Sequence, residues 1–468
     1  MMLYINEITS TINYLERRHL CQQNIQKIFK MARHLLSKIC ANIIESLKKV
    51  ILSKEFLHRH RNSPKAFTRE RKLPFHVLLC FLMNFVKGSY QDELNRFFQA
   101  LNLNEIAIRF VSRVALAKAR MKLKYEAFIE LNQHLVNAFE NNFEPMKWYK
   151  HRLVVIDGST FQLPRIKEFM DHFGVWNVKP GKPCPIARIS QLFDSLNKIS
   201  ISAIIGPKSV DERTQAYQMF SHLKPSDLVL LDRGYPAFWL FKAIEATGAN
   251  FCARINSKWS IVKKFIASGQ QEQLIQLTAP YAAITTCQQL KLDVNPMTLR
   301  LIRIELSTGE VEVLITTLID REIYAHDVFA QLYHKRWPVE EDYKYMKYWL
   351  EIGNTTGKSV LSVYQDFYAK IFSKNLTSVL SFPTQSKLKK AGKKKKYEYQ
   401  VNFVQALSTS KNVTALLFLR TRAKVDELIK NLHQTFANSA APIRPERAYP
   451  RNHKVLKRKF YFSYKPIS

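Results

Sequence analysis

Disulfide and zinc-binding patterns are missing from this chain. Its six cysteines, Cys21, Cys40, Cys80, Cys184, Cys252 and Cys287, lie far apart and form no C-x-x-C pair. Such spacing offers neither a disulfide framework nor a zinc knuckle, and it suits reduced thiols in a cytoplasmic chain. No H-E-x-x-H occurs, which removes the usual helical zinc site. Long hydrophobic runs are lacking as well. The most apolar stretch, "FHVLLCFLMNFV" at 75–86, is too short to span a bilayer and reads as a buried helix. The opening "MMLYINEITSTINYLERRHL" has no charged segment followed by an apolar one, so no secretory signal and no membrane partner are expected. Acid is scarce: 38 Asp and Glu face 72 Lys and Arg, a formal net charge of +34. An imbalance of that size points to a polyanionic partner, and with the membrane set aside, nucleic acid leads.

What is present is globular. The 468 residues are 46% hydrophobic and 12% aromatic, enough for two to four domains with buried cores. Residues 1–145 read as helical, with Gly88 their only glycine, and with scattered basic residues that suit a compact DNA-binding module. From 146 to 255 the texture becomes mixed. "RLVVIDG" and "DLVLLD" read as short buried strands ending in an acid. "ARISQLFDSLNKISISAIIG" reads as a hairpin around Asn197, and "AFWLFKAIEATG" as a helix closed by Gly248. In "SVDERTQAYQMFSHL", Ser209 and Glu212 have the spacing of a capping box. Residues 256–322 read as a β-rich insertion, with turns at Asn295-Pro296 and Thr308-Gly309. Helices return over 323–385. The final part, 386–468, is basic and aromatic, beginning near "KLKKAGKKKKY", and suits DNA contacts or dimerisation.

Asp157 and Asp232 each close an apolar strand, where a carboxylate is costly unless solvated, paired or bound to metal. Ordinary turn chemistry explains either one alone. Together with a third carboxylate they could hold two Mg²⁺ or Mn²⁺ ions for an in-line phosphoryl displacement, with oxygen ligands that suit those hard cations. The third acid is sought in "YHKRWPVEEDYKYMK" at 333–347, where Glu340, Glu341 and Asp342 are consecutive. At about 100° per residue, with Tyr333 at zero, Arg336 falls near about −60°, Glu340 near about −20° and Lys347 near about −40°. Glu341 and Asp342 fall off that stripe, near about +80° and about 180°, and are read as a solvated face. Pro338 inside the span could kink the helix or start a new one and so shift these angles. Two other features are set aside. "GNTTGKS" at 353–359 has one residue too few between its glycines for a phosphate loop, and Glu212, a possible fourth ligand, is accounted for by capping.

The spacing Y-x2-R-x3-E-x6-K, here Tyr333, Arg336, Glu340 and Lys347, resembles the signature of bacterial insertion-sequence DDE transposases that carry the YREK motif. "VVIDGSTFQLP" is similar to their first-Asp block, "DLVLLDRGYPAFWLFKAI" to their second, "SVDERTQAY" to the helix between, and "RAYPRNHK" to a common C-terminal ending. The resemblance runs from about residue 65 to the end. It implies an α/β fold built on an RNase H-like mixed sheet with a β-rich insertion, preceded by a helical N-terminal DNA-binding domain. It implies Asp157, Asp232 and Glu340 as catalytic metal ligands for two Mg²⁺ or Mn²⁺ ions. Tyr333, Arg336, Lys347 and Arg233 would contact DNA, and Tyr235 would support the site. The implied reaction is cut-and-paste transposition: cleavage at terminal inverted repeats, then attack of the freed 3′-hydroxyl on target DNA. The implied assembly is a homodimer in a synaptic complex, in the bacterial cytoplasm and associated with the nucleoid. Some relatives flip a base onto a tryptophan of the insertion; here no Trp lies between Trp259 and Trp337. Two alternatives stay open: a nuclease of the same fold that cuts without joining, and a DNA-binding protein that no longer cuts.

Overall fold

Glycine and proline are nearly absent before residue 145, and the chain there runs through one helix after another. The computed structural model describes residues 22–444 apart from 70, 178–182, 307–308, 356, 393–395 and 412. The "RAYPRNHK" ending lies outside the described residues. The first helices are α1 (Gln22–Leu52), α2 (Lys54–His60), α3 (Phe75–Leu82), α4 (Tyr90–Asn102), α5 (Arg113–Arg120) and α6 (Glu126–Asn142). Caps set several of their starts: Ser53 accepts from the Phe56 N–H and Ser112 from the Ala115 N–H, each at 3.2 Å. The apolar stretch at 75–86 buries Phe75 and all of Val77–Leu82 within α3, as a core helix should.

Strands then build the sheet. They are β1 (Arg152–Gln162), β2 (Cys184–Asp194), β3 (Ile199–Pro207), β4 (Asp227–Leu231) and β5 (Asn250–Ile255). β1 pairs antiparallel with β2, and β2 with β3 through the hairpin at Asn197; β4 and β5 join parallel on the other side of β1. The order β3-β2-β1-β4-β5, three antiparallel strands followed by two parallel ones, is the RNase H-like arrangement. Central strands β1 and β4 are covered on both faces, which is why "LVVI" and "LVLL" are unbroken apolar runs. Alternation divides each run: Val154, Ile156, Val229 and Leu231 join one core cluster, while Leu153, Val155, Leu228 and Leu230 join the other.

Between the strands lie α7 (Lys167–Phe173), α8 (Glu212–Tyr217) and α9 (Phe238–Glu245). The segment 256–322 carries α10 (Ser260–Ala267), β6 (Glu272–Leu277), α11 (Tyr281–Gln289), β7 (Met297–Glu305) and β8 (Val311–Thr316). Its strands continue the same sheet, since β8 pairs antiparallel with β5, β7 with β8 and β6 with β7. The helices that follow are α12 (Val328–His334), α13 (Pro338–Lys344), α14 (Val360–Gly392), α15 (Phe403–Lys411), α16 (Thr414–Leu419) and α17 (Arg422–Asn438). α14 passes through the middle of the protein, where its Ser373, Lys374, Asn375 and Thr377 are all buried. Cys40, Cys80, Cys184, Cys252 and Cys287 are buried free thiols. Among the described residues no helix is long and apolar enough to cross a membrane.

Candidate active site

Register brings the two aspartates together. Ile156 of β1 pairs with Leu231 of the parallel strand β4, so the next residues, Asp157 and Asp232, stand side by side. Asp232 lies just past β4, whereas β1 does not end at its acid as expected but runs on to Gln162, with Asp157 paired to Gln191 of β2. Parallel strands lie about 4.8 Å apart. Ile156 and Leu231 face one core cluster, so by alternation both aspartates turn to the opposite face. On that face packs α13, whose Val339 and Tyr343 belong to the other cluster. The Tyr343 hydroxyl donates to the Asp157 carbonyl at 2.6 Å, pinning α13 to the middle of β1.

α13 also carries Glu340. Pro338 is not a kink within one helix: it opens α13 after α12 has ended, at the position where a missing N–H costs nothing. Continuity survives through i→i+3 bonds, Arg336 N–H to Tyr333 O and Glu340 N–H to Trp337 O, both 3.0 Å. A π-helical turn, Tyr345–Trp349, then carries Lys347. The side chains of the four spaced residues gather accordingly. The Tyr333 hydroxyl lies 3.3 Å from both the Leu231 carbonyl and Asp232 Oδ1. Arg336, buried, donates from Nη2 to Glu340 Oε1 at 2.6 Å, with its guanidinium 5.8 Å from the Tyr333 ring centre. Lys347 donates to the Ser159 hydroxyl on β1, two residues beyond Asp157.

The electrostatics register this crowding. The Asp157 carboxyl is raised to about 7, by burial above all and with help from the Glu340 and Asp232 charges, against the pull of Arg336 and the Gly158 N–H. Asp232 is shifted the other way. Burial raises it, but the Arg233 N–H and the Arg254 and Arg336 guanidiniums outweigh that and hold it below the ordinary carboxylate value. Burial and the Asp232 charge push the Tyr333 phenol up, so it stays a donor. Arg233 is exposed beside this site. Tyr235 is buried and closes the D-R-G-Y turn by donating its N–H to the Asp232 carbonyl at 2.9 Å.

Two expectations are corrected. Asp342 is not on a solvated face: it is buried, with both carboxylate oxygens 2.6 Å from the Lys374 ammonium of α14 and one accepting from Gln191 Nε2 at 3.0 Å. The angle that takes Asp342 off the Glu340 stripe turns it into the protein, while Glu341 is exposed. Nor do Ser209 and Glu212 form a capping box. Asp211 is the N-cap of α8, accepting from the Arg213 and Thr214 N–H groups at 2.9 and 3.3 Å. Glu212 is thereby free to lie against Gly158, where an added Cβ would come 3.2 Å from its Cδ, and to pair with Arg188 at 3.1 Å.

One charged neighbour went unnoticed in the sequence. Arg254 of β5 stands next in register to Asp232 and donates to its Oδ1 from Nε at 3.1 Å and Nη2 at 2.7 Å. A lone arginine in the apolar strand "NFCARI" was the available signal. Among the described residues no group of three or more His, Cys, Asp or Glu side chains stands close enough to hold a metal ion. The donor set is nonetheless all carboxylate oxygen, which suits Mg²⁺ or Mn²⁺ and not softer ions. Each of Glu340 and Asp232 acts on the Asp157 charge, so the three acids share one locale.

An RNase H-like sheet with acids side by side on adjacent central strands, faced by a third acid on a helix, is an arrangement that suits metal-assisted phosphodiester chemistry. Residues 148–376 match the family described as Transposase DDE domain. It is 22% identical over 395 residues to the transposase InsG of insertion sequence element IS4 from Escherichia coli (strain K12), covering 82% of this chain and 86% of that one. Among solved structures it is similar to a piggyBac transposase synaptic complex with hairpin DNA, at 11% identity and a TM-score of 0.43, over 89% of this chain and 87% of that one.

Proposed function

We propose that the chain carries out cut-and-paste transposition, with Asp157, Asp232 and Glu340 as its catalytic carboxylates. The observation that carries this reading is the side-by-side register of Asp157, within β1, and Asp232, just past β4, with Glu340 acting on the same Asp157 charge. The three acids would hold two divalent cations, Mg²⁺ or Mn²⁺. Such ions, when bound, activate an attacking oxygen and stabilise the leaving oxygen of an in-line displacement.

The remaining residues bind and orient. Arg336 and Lys347 bring charge-assisted donors to the edge of the acidic locale, where they suit the non-bridging oxygens of a phosphodiester. Tyr333 adds a neutral donor, and Arg233 an exposed cation on the approach. Tyr235 supports the turn that presents Asp232. In the first step a water oxygen bonds to phosphorus and the 3′-oxygen leaves as the free hydroxyl of the element end. In the second, that hydroxyl attacks a target phosphodiester, forming one P–O bond as another breaks, with no net hydrolysis. Terminal inverted repeats are the DNA bound, and a homodimer pairs the two ends in a synaptic complex. The domain order is a helical DNA-binding part over 1–145, the core over 146–255 and 323–385, an insertion over 256–322, and a basic C-terminal part over 386–468. The working compartment is the bacterial cytoplasm, at the nucleoid.

Labelled duplexes carrying the element's own ends, incubated with a target plasmid, test this. With Mg²⁺ the ends are cleaved and joined to the plasmid; with EDTA neither product forms. Cleavage without joining would contradict strand transfer, and binding without cleavage would contradict an enzyme.

A further inference from the structure

We propose that α5 and the basic groove beside it are the surface that reads duplex DNA, with α5 entering the major groove and the groove's cations holding one strand's phosphates. The inference rests on the transposase reading above and specifies where in the helical region the sequence of the element end is recognised.

The groove has a cavity volume of about 710 Å³. Six cations line it, Lys65, Arg69, Arg71, Lys72, Lys118 and Lys122, and all six are exposed. No Asp or Glu lines it among the described residues. Six cations in one groove, with no acid among the described residues that line it, match a row of phosphates, whose neutralisation releases counterions.

α5 forms one wall, and its outer surface is unusual for a solvated helix. Leu116 and Arg120 are its only buried residues. Val114 is 56% exposed, and Met121, just past its end, is 69% exposed. Ala115 and Ala117 are exposed between them. A surface helix normally turns charge outward. This one turns out small and apolar side chains between Arg113 and Lys118, the mixture that meets thymine methyls and base edges. A helix about 10–12 Å across fits a major groove about 12 Å wide.

The helix is also fixed to the catalytic part of the molecule. Arg120, buried, donates to Gln365 Oε1 at 2.8 Å, to Asp366 Oδ1 at 2.8 Å and to the Ser362 carbonyl at 3.0 Å, all on α14. Gln365 returns bonds to the Arg120 and Leu123 carbonyls at 2.9 and 2.7 Å. The same α14 holds Asp342 of α13 through Lys374. One helix, α14, therefore holds buried bonds both to the reading helix and to the element that carries Glu340. A sequence read at α5 is thus presented to the acids at a set distance along the duplex.

The test uses the full chain in EDTA, so that it does not depend on cleavage: a chain inactive in the joining assay can still pass it, and an active chain can still fail it. A library of duplexes with a random core is selected by binding. The wild type is expected to enrich one shared motif. Combined Lys65→Gln, Arg71→Gln and Lys118→Gln lowers the slope of log affinity against log salt by about 3. Val114→Ser with Met121→Ser lowers the preference for the enriched duplex over an unrelated one about tenfold. Both variants change exposed side chains, and an unaltered melting temperature shows that they fold. Enrichment of no motif, or a slope and a preference unchanged in the two folded variants, overturns the proposal. Tighter binding of single-stranded oligonucleotides, lost in the same variants, overturns the duplex assignment in favour of a single-strand groove.

Discussion

Lys374 is fully buried, and its ammonium meets both oxygens of a carboxylate that is itself nearly inaccessible, so each charge depends on the other. Removing one partner leaves the second without compensation in a dry interior, which costs about 3–5 kcal/mol. Lys374→Met and Asp342→Asn are each expected to lower unfolding stability by about that amount in urea titrations, whereas the pair Lys374→Met with Asp342→Leu loses much less. A loss near zero in the single variants would show the pair to be dispensable. Glu341, one residue earlier and exposed, is expected to tolerate Ala within about 0.5 kcal/mol. Three consecutive acids thus have three environments. The aspartates at 157 and 232 were legible because each ends an apolar run. Glu340 was legible from helical phase. The burial of Asp342 was not, because its partner lies 32 residues along the chain, on a helix where a lysine ordinarily signals solvent.

At the scale of elements, His433 shows how the helices around the sheet are tied. It lies on α17, with Nδ1 3.1 Å from the Ser37 hydroxyl of α1 and Nε2 3.0 Å from the Leu380 carbonyl of α14. Burial, assisted by Lys387, pushes its pKa down to about 4 from the ordinary 6.5. In the folded protein the ring therefore stays neutral down to about that pH, while the unfolded chain takes up a proton below 6.5. Its contribution is complete above 6.5 and is lost as pH falls through 4, a difference of up to about 3 kcal/mol. Urea midpoints of the wild type and of His433→Gln, compared at pH 7 and pH 4.5, test this: the wild type should lose more stability on acidification than the variant. Equal losses would remove the histidine from that role. Many of the strands and helices followed from pattern, because period-2 and period-3.6 runs name their elements, whereas the order of the strands in the sheet does not. The cap of α8 did not, because Ser209 and Asp211 are both good caps and only the folded backbone selects between them. Segment 256–322 joins the main sheet through the pairing of β8 with β5, a long-range contact that no local window contains.

On the scale of the whole molecule, a formal charge of +34 sets how the chain would meet the DNA proposed as its partner. If about six phosphates are neutralised per site, affinity should fall about 10³-fold between 50 and 200 mM salt. A flat response in a titration of fluorescent duplex would remove DNA as the partner. At the site, the proposed chemistry falls to one acid of the triplet, Glu340, in company with Asp157 and Asp232. The direct measurement is Mg²⁺-dependent cleavage of the element's end duplex by wild type, Glu340→Ala and Glu341→Ala, run side by side. Loss of cleavage in Glu340→Ala with near wild-type cleavage in Glu341→Ala is the predicted result. Cleavage that survives Glu340→Ala and disappears in Glu341→Ala would contradict it.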